Sequence, residues 1–240
     1  MKLALLGYGK MGKEIEQVAV QRKHDVELII DANNMADLTP ENLKGVDAAL
    51  EFSTPESVII NIYKCFEANI PVIVGTTGWL SRLEEVKKAC REKDQALFYA
   101  SNFSVGVNIF FKLNEYLAGI MQHYPGYKPG IEETHHIHKL DKPSGTAISL
   151  ANQIIQNVPG KKKWVNDYTT EPEELQVISA RLEEVPGTHV VSYGSAVDKI
   201  EIIHTAHNRR GFAQGAVMAA EWIKGKKGIL GMNDMLNIKV

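Results

Sequence analysis

A glycine-rich hexamer close to the first residue constrains the fold of this chain more than any other feature. The apolar run Leu3–Leu6 leads directly into Gly7-Tyr8-Gly9-Lys10-Met11-Gly12, which has the spacing G-x-G-x-x-G. A helical pattern follows, and Asp31 closes the next apolar run about 20 residues further on. This order is typical of the first βαβ unit of a Rossmann domain. It predicts a dinucleotide site in which residues Gly7, Tyr8, Gly9, Lys10, Met11 and Gly12 hold the pyrophosphate.

Asp31 also bears on the choice of cofactor. A carboxylate at this position accepts hydrogen bonds from the ribose hydroxyls of NAD and repels the 2′-phosphate of NADP. Residues 32–34 contain no arginine that could bind that phosphate. The sequence therefore predicts NADH as the preferred cofactor and leaves NADPH as an alternative. The alternative is that Asp31 is only a turn or helix-capping residue.

Short apolar runs alternate with amphipathic segments over the first hundred residues. Five nearly all-apolar runs are predicted to be parallel strands covered on both faces: Leu3–Leu6, Val26–Ile30, Ala48–Phe52, Val72–Val74 and Ala96–Tyr99. Three segments between them have apolar residues at helical spacing: Lys10–Arg22, Pro55–Asn69 and Leu80–Glu92. The alternation predicts an α/β fold with a Rossmann-type, doubly wound parallel sheet.

The pattern changes after Asn102. A helix is predicted over Val107–His123, and a second over Thr146–Gln156. Four strand-like runs also follow the first helix: Gly130–His138, Gln176–Leu182, His189–Tyr193 and Lys199–His204. This predicts an inserted α+β domain with a mixed sheet. Pro159–Glu174 is predicted as a surface loop, and Phe212–Lys224 as a small-residue helix that returns to the first domain. The predicted domains are residues 1–103 with 212–240, for the dinucleotide, and residues 104–211.

Composition narrows the classes of partner. The net charge of −2 does not indicate a surface for nucleic acid or for an anionic membrane. No run approaches the roughly 18 apolar residues of a membrane span. The two cysteines, Cys65 and Cys90, have no metal-ligand spacing and are read as thiols of a reducing compartment, so a cytoplasmic location is expected.

Two further loops follow predicted strands, at residues 52–55 and Gly75–Gly78. Ligands of open α/β sheets lie beyond the carboxyl ends of the strands, so Gly75, Thr76 and Thr77 are candidates for contact with a cofactor. Ordinary strand-to-helix turns use the same residue types, and this alternative stays equally open.

The densest polar cluster spans residues 132–147 and contains three histidines. On a single strand, alternation separates His135 from His136 and His138, so a metal site that uses all three is unfavourable. No metal ligands are predicted, although a metal-dependent hydrolase stays an alternative function. Further on, Ser144-Gly145-Thr146 opens an apolar helix. It serves either as a plain N-cap or as a cradle for a carboxylate, to which Lys139 adds a positive charge.

Five motifs in this order resemble one known family, the 4-hydroxy-tetrahydrodipicolinate (dihydrodipicolinate) reductases of lysine and diaminopimelate biosynthesis. They are the glycine hexamer, Gly75-Thr76-Thr77-Gly78, residues 101–107, residues 135–147 and Phe212-Ala213-Gln214-Gly215-Ala216. The family tends to have Arg-x-Gly where this chain has Arg181-Leu182-Glu183, and this difference puts any loop role of the segment in doubt.

The resemblance implies NAD(P)H-dependent reduction of a cyclic dicarboxylate. It also implies that the inserted domain, residues 104–211, binds the substrate and builds a homotetramer. It implies that His135 is the acid and Lys139 a charge partner of the substrate. The residues implied to bind substrate are His136, Lys139, Ser144, Gly145 and Thr146, and those implied to hold the nicotinamide side of the cofactor are Gly75, Thr76, Thr77, Ala100, Ser101, Asn102 and Phe103. The alternative is a redox-sensing regulator that binds NAD(H) without turnover. Such a regulator needs a partner-binding face, for which the chain has no basic helix.

Overall fold

A computed structural model describes residues 1–237 of the chain. The described residues form strands and α-helices in the order β1 (Lys2–Leu6), α1 (Lys10–Gln21), β2 (Asp25–Ile30), β3 (Ala48–Glu51), α2 (Val58–Glu67), β4 (Val72–Val74), α3 (Leu83–Glu92), β5 (Ala96–Tyr99), α4 (Val105–Met121), β6 (Lys128–His135), α5 (Gly145–Asn157), β7 (Lys163–Val165), β8 (Glu174–Arg181), β9 (Gly187–Gly194), β10 (Lys199–Ala206), α6 (Arg210–Ile223), β11 (Gly228–Leu230) and α7 (Met232–Leu236).

The chain divides into two compact units. The first contains Met1–Val105 together with the C-terminal part of the chain from Arg210, and the second contains Gly106–Arg209. The sequence placed these divisions two residues away, after residues 103 and 211.

The first unit contains a six-stranded parallel sheet in the order β11-β5-β4-β3-β1-β2. From β1 the chain moves outward to β2, and it then returns to the other side of β1 to form β3. The strand order therefore reverses between β1 and β3, and the carboxyl ends of these two strands flank the crevice where such sheets bind ligands. The doubly wound fold expected from the sequence is confirmed.

Alternation along the strands explains why this sheet is covered on both faces. In β1, Leu3 and Leu5 pack with α1 and α6 on one face, while Ala4 and Leu6 pack with α2 and α3 on the other. All four side chains are buried, as the continuous apolar run indicates. Small residues of α6, among them Ala216 and Ala220, pack in the same cluster as residues of α1. Helix α6 therefore belongs to the first unit, as predicted for Phe212–Lys224.

The second unit contains a five-stranded mixed sheet in the order β10-β9-β6-β8-β7. Its central strand β6 is antiparallel to β9 and parallel to β8. Residues of α4 and α5 pack with one face of the sheet around Ile131, Val177 and Val191. The mixed sheet of the second domain is confirmed.

Three local expectations differ from the structure. Strand β6 ends at His135, and the chain then turns with a hydrogen bond from Lys139 N–H to His136 carbonyl, so residues 136–138 are not strand. Strand β7 lies inside the predicted loop 159–174. It pairs with β8, and its Trp164 and Val165 side chains are half-buried. The short edge strand β11 was not predicted at all. Among residues 1–237, no helix is both long enough and apolar enough to cross a membrane.

Candidate active site

The glycine hexamer forms the turn between β1 and α1. Gly7 has φ +98°, and a Cβ at this position would lie 2.2 Å from the carbonyl oxygen of Phe52. A Cβ at Gly12 would lie 2.3 Å from the carbonyl oxygen of Gly7. Only glycine can therefore occupy these positions without moving the backbone, which fits a tight turn at Gly7 and close packing of the helix against the strand at Gly12.

Helix α1 begins directly after this turn. Its N-cap is Gly9, and no side chain caps the first turn. Helix geometry provides no internal acceptors for these first N–H groups, and the helix dipole places positive charge there. The Tyr8 hydroxyl donates to Glu16 of the same helix, and Lys10 is exposed. The arrangement is suited to a phosphate group.

Asp31 follows the last residue of β2, at the same edge of the sheet. One of its carboxylate oxygens accepts a hydrogen bond from the N–H of Asn33 at 2.7 Å, and its own N–H donates to Asn34 Oδ1 at 2.7 Å. The turn role left open by the sequence is therefore present. This turn uses one carboxylate oxygen, Oδ1, and not the second.

The loops after β3, β4 and β5 lie at this carboxyl edge as well. The Ser53 N–H donates to Thr76 Oγ1 at 2.8 Å, so the loops at residues 52–55 and 75–78 are joined by a direct hydrogen bond. After β5, Asn102 Oδ1 accepts from Ser104 N–H at 2.9 Å. Phe103 is buried among Phe52 and Phe98, which leaves its backbone rather than its ring for a cofactor.

In the second unit, β6 carries two polar side chains at the end of its buried face. Ile131, Glu133 and His135 alternate with exposed or half-buried residues and share that face. Strand pairing sets Glu133 opposite His189 of β9 and His135 opposite Arg181 of β8. Four chemically active side chains therefore meet in the sheet, although they are far apart in the sequence.

Glu133 is the centre of this group, which comprises Glu133, His135, Ser144, Arg181 and His189. The buried Glu133 carboxylate accepts from the N–H of Ser144 at 3.0 Å and from Arg181 Nη2 at 3.3 Å. His135 Nδ1 lies 3.3 Å from Glu133 Oε2, but outside hydrogen-bond geometry, so the contact is electrostatic. His189 Nε2 lies 3.6 Å from the same oxygen and 3.1 Å from Ser144 Oγ.

These contacts determine the charge state of Glu133. Burial by itself raises the pKa of a carboxyl group, but the polar groups around it, among them His135, His189 and Ser144, act together in the other direction and hold the pKa of Glu133 well below its ordinary value. Burial lowers the pKa of His189, against the opposing effect of Glu133. The group therefore contains a carboxylate beside a neutral His189.

Metal binding must be considered for this group, because Glu133, His135 and His189 each offer one ligand atom within 4.8 Å of the others. The guanidinium of Arg181, 3.3 Å from Glu133, opposes a second cation there. The expectation that no metal is bound stays a prediction. Its physical basis is now this positive charge and not the alternation of three histidines, because His136 and His138 lie outside the strand.

Helix α5 begins beside Glu133. Ser144 is its N-cap, and the Ser144 hydroxyl accepts from the Ala147 N–H at 3.2 Å. The Ser144 N–H is used by Glu133, so the N–H groups of Gly145 and Thr146 are those that the helix geometry leaves for an anion. Both interpretations of this segment, N-cap and anion cradle, are compatible with that geometry.

The segment between β6 and α5 is held by Arg181. Its guanidinium donates to the backbone carbonyls of Lys139 at 3.2 Å and of Asp141 at 2.6 Å. Lys139 itself is half-buried, with Nζ 2.8 Å from Asp141. Sequence reasoning left Arg181 without a role, and it missed Glu133 and His189 entirely. The one available signal was the two-residue spacing of Glu133 and His135 on an otherwise apolar strand face.

Comparison with known proteins covers both units. The family pattern described as dihydrodipicolinate reductase, N-terminus, matches residues 1–103, and the pattern described as dihydrodipicolinate reductase, C-terminus, matches residues 106–236. The chain belongs to the dihydrodipicolinate reductase family. Its membership confirms the resemblance read from the five motifs.

Relatives of this family are similar over most of the chain. A 4-hydroxy-tetrahydrodipicolinate reductase of Christiangramia forsetii is 48% identical over 239 residues, which are 99% of this chain and 98% of that protein. One of Neisseria gonorrhoeae is 34% identical over 199 residues, 80% of this chain and 73% of that protein. The structure of dipicolinate-bound dihydrodipicolinate reductase from Paenisporosarcina sp. TG-14 matches with a TM-score of 0.80 at 22% identity, covering 100% of this chain and 99% of that one, which supports the fold.

The departure from the family pattern at residues 181–183 has a structural counterpart. Glu183, the third residue of this segment, has φ +37°, in the left-handed region that favours glycine. Arg181 contacts Glu133 and the backbone carbonyls of Lys139 and Asp141, so the first residue of this segment has a structural role in the loop.

Proposed function

We propose that this chain reduces 4-hydroxy-tetrahydrodipicolinate to tetrahydrodipicolinate, with a hydride from a nicotinamide nucleotide. The observation that carries the proposal is that the family match extends over both units and includes the group around Glu133. A full-length relative at 48% identity bears the name of this activity. Reduction of the ring requires a hydride donor, a proton donor and groups that neutralise two carboxylates, and the chain has residues suited to each task.

His135 is the proposed proton donor. In total the substrate takes up one hydride and one proton and loses one molecule of water. Histidine is the side chain best suited to proton transfer near neutral pH. The Glu133 carboxylate, 3.3 Å from His135 Nδ1, favours one orientation of the imidazole. Gly187 allows this ring to sit closely against the backbone, since a Cβ there would lie 2.9 Å from His135 Nε2.

The dicarboxylate is proposed to bind at the start of α5 and along the segment before it. The N–H groups of Gly145 and Thr146, the Ser144 N-cap and His136 supply hydrogen bonds, while the Lys139 ammonium supplies charge. Lys139 is paired with Asp141, and a substrate carboxylate would compete for that ammonium. Binding energy from these groups orients the ring for hydride transfer.

The cofactor is proposed to lie along the carboxyl edge of the parallel sheet. The turn at residues 7–12 would hold the pyrophosphate, and the loops 75–77 and 100–103 would hold the nicotinamide side. The second carboxylate oxygen of Asp31 is suited to a ribose hydroxyl and would repel a 2′-phosphate. NADH is therefore the proposed preferred cofactor, and the parallel domain is the proposed dinucleotide domain.

A coupled assay tests the activity. Freshly generated 4-hydroxy-tetrahydrodipicolinate is mixed with the protein and NADH or NADPH, and the loss of nicotinamide absorbance is followed. The His135→Ala variant is expected to lower kcat by about 10²–10⁴. His138→Ala is the matched control, because His138 lies in the same segment and is exposed. NADH binding without substrate-dependent oxidation would favour a redox-sensing regulator instead, and a kcat of H135A within about threefold of wild type would remove His135 from the mechanism.

Assembly and location remain predictions of the same proposal. A homotetramer built through the second unit is expected, and light scattering on the purified protein would measure its mass. A cytoplasmic location is consistent with two free, buried cysteines.

A further inference from the structure

Glu51 is a second buried carboxyl group, and the proposed mechanism does not use it. It is the last residue of β3 and pairs with Leu6 of β1 and Val74 of β4, so it lies in the interior of the parallel sheet at its carboxyl edge. It has no exposed surface. Its Oε1 accepts from Asn61 Nδ2 of α2 at 3.1 Å and from the Ser53 hydroxyl.

The surroundings of Glu51 favour the neutral carboxyl. Among residues 1–237, no lysine, arginine or histidine forms an ion pair with it, and Oε2 is buried without a hydrogen-bond partner. A buried carboxylate without a compensating charge is costly. Burial raises the pKa of Glu51, and hydrogen bonding, chiefly from Ser53, opposes this only in part. Glu51 therefore differs from Glu133 in its favoured charge state. The charge of Glu133 is compensated by Arg181, whereas the surroundings of Glu51 favour the neutral form.

Ser53 connects this carboxyl group to two loops. The Ser53 hydroxyl contacts Glu51 and lies 2.9 Å from Ser57 Oγ, while the Ser53 N–H donates to Thr76 Oγ1 at 2.8 Å. The hydrogen bond from Ser53 N–H to Thr76 therefore joins the loops at residues 52–55 and 75–78, and the Glu51 carboxyl group contacts the Ser53 hydroxyl next to that bond.

We propose that Glu51 is a positioning residue for the cofactor. Through Ser53 it holds the loops 52–55 and 75–78 in the arrangement that receives the nicotinamide half of the dinucleotide. This inference rests on the proposed function, which assigns residues 75–77 to that half. Glu51 acts through Ser53 and Thr76, so its loss is expected to weaken cofactor binding and to change the hydride step much less.

The test compares three variants by titration with NADH and by steady-state kinetics. Glu51→Leu is expected to raise the Kd of NADH by about tenfold, as for a lost hydrogen bond that leaves a polar partner unsatisfied. At saturating NADH its kcat is expected to stay within about threefold. Glu51→Gln keeps a neutral group that accepts and donates hydrogen bonds, and it is expected to restore most of the affinity.

Gln95→Leu is the matched control for a general loss of stability. Gln95 is a buried polar residue of the same unit, but it lies at the opposite edge of the sheet, before β5, where it donates to Asn69 at 3.1 Å and to the Lys93 carbonyl at 2.7 Å. Its replacement is expected to lower the melting temperature without changing the Kd of NADH. A Q95L protein that loses as much affinity as E51L would show that the effect is only structural and would overturn the proposal.

Ser53→Ala provides a second test if E51L does not fold. It removes the hydroxyl group that links Glu51 to the loop at residues 52–55, while the Ser53 N–H that donates to Thr76 and Glu51 itself both stay in place. It is expected to raise the Kd of NADH to a similar extent. Wild-type affinity in S53A or in folded E51L would contradict the role of Glu51 while leaving the reductase activity intact. Wild-type protein that neither binds nor oxidises NADH would contradict the proposed function itself.

Discussion

The carboxylate of Glu133 accepts hydrogen bonds from the N–H of Ser144, at 3.0 Å and 3.2 Å to its two oxygens. A buried negative charge is thereby fixed at the N-terminal end of α5, where the helix dipole favours it. The same carboxylate contacts Arg181, which holds the segment that carries Lys139. His135, the start of α5 and the segment of Lys139, for which the roles of proton donor, anion cradle and charge partner are proposed, are therefore connected to each other through one side chain.

Replacing Glu133 by glutamine is expected to reduce stability at neutral pH and to reduce its sensitivity to acid. The pKa of Glu133 in the folded protein lies below its ordinary value of 4.5, so the carboxylate stabilises the fold above that value and the stabilisation is lost as the pH falls further. At pH 7, E133Q is expected to be less stable by about 2 kcal/mol. Urea unfolding of both proteins at pH 7 and near pH 4 measures the two differences.

The unfolding free energies of the two proteins are expected to converge as the pH falls below 4.5. The wild-type protein then loses the stabilisation by the Glu133 carboxylate, which the variant lacks at every pH. A gap that stays constant down to the acid limb would contradict an ionised Glu133. Exposed Glu132, the neighbour on the other face of β6, provides the control: E132Q is expected to follow wild type at every pH.

Local patterns made the parallel sheet and the cofactor turn predictable, whereas the group around Glu133 depended on pairing between distant strands. Strand β4 was predicted with its observed bounds because a fully buried strand is a continuous apolar run. The Gly7 turn was predictable because only glycine tolerates its geometry. Arg181 and His189 reach Glu133 through the register of β6 with β8 and β9, which no local period encodes.

Asp31 is expected to determine the preference for NADH. Asp31→Ser removes the carboxylate, and kcat/KM with NADH is expected to fall by about tenfold while the ratio of NADPH to NADH activity rises. Asp31→Asn is the control, because its amide oxygen can still accept from the Asn33 N–H and keep the turn. If D31N shifts the ratio as D31S does, the charge is responsible. A wild-type enzyme that prefers NADPH would refute this role.

Lys139 is expected to contribute to substrate affinity through its charge. Lys139→Met is expected to raise the KM of the dicarboxylate by about tenfold or more and to leave the KM of NADH unchanged, since a charged hydrogen bond to the substrate is lost. Lys142→Met is the matched control, because Lys142 is an exposed lysine of the same segment. Equal effects of K139M and K142M on the KM of the dicarboxylate would indicate a general electrostatic attraction and no specific site.

Glu183→Gly is expected to stabilise the protein. Glu183 has φ +37°, and a residue with a side chain pays about 1 kcal/mol or more in this region, whereas glycine does not. The more flexible unfolded chain offsets part of this gain, so a net increase of about 0.5 kcal/mol is expected. Urea unfolding measures it, with Glu184→Gly as the control at the exposed neighbour. A destabilised E183G would mean that the side chain has contacts that outweigh the backbone strain.

Glu51 is expected to give the opposite pH dependence to Glu133. Its pKa in the folded protein is raised above the ordinary value of 4.5, mainly by burial. The protonated group therefore contributes fully to stability below 4.5, and this contribution is lost as the pH rises through the higher folded value, because the unfolded chain then releases its proton more easily.

Glu51→Gln cannot ionise and should not show this loss. The difference in unfolding free energy between E51Q and wild type is thus expected to move in favour of E51Q from pH 4 to pH 8, with most of the change above 4.5. A difference that is flat across this range would mean that Glu51 is ionised in the folded protein, and that a charged, not a protonated, carboxyl group lies beneath Ser53.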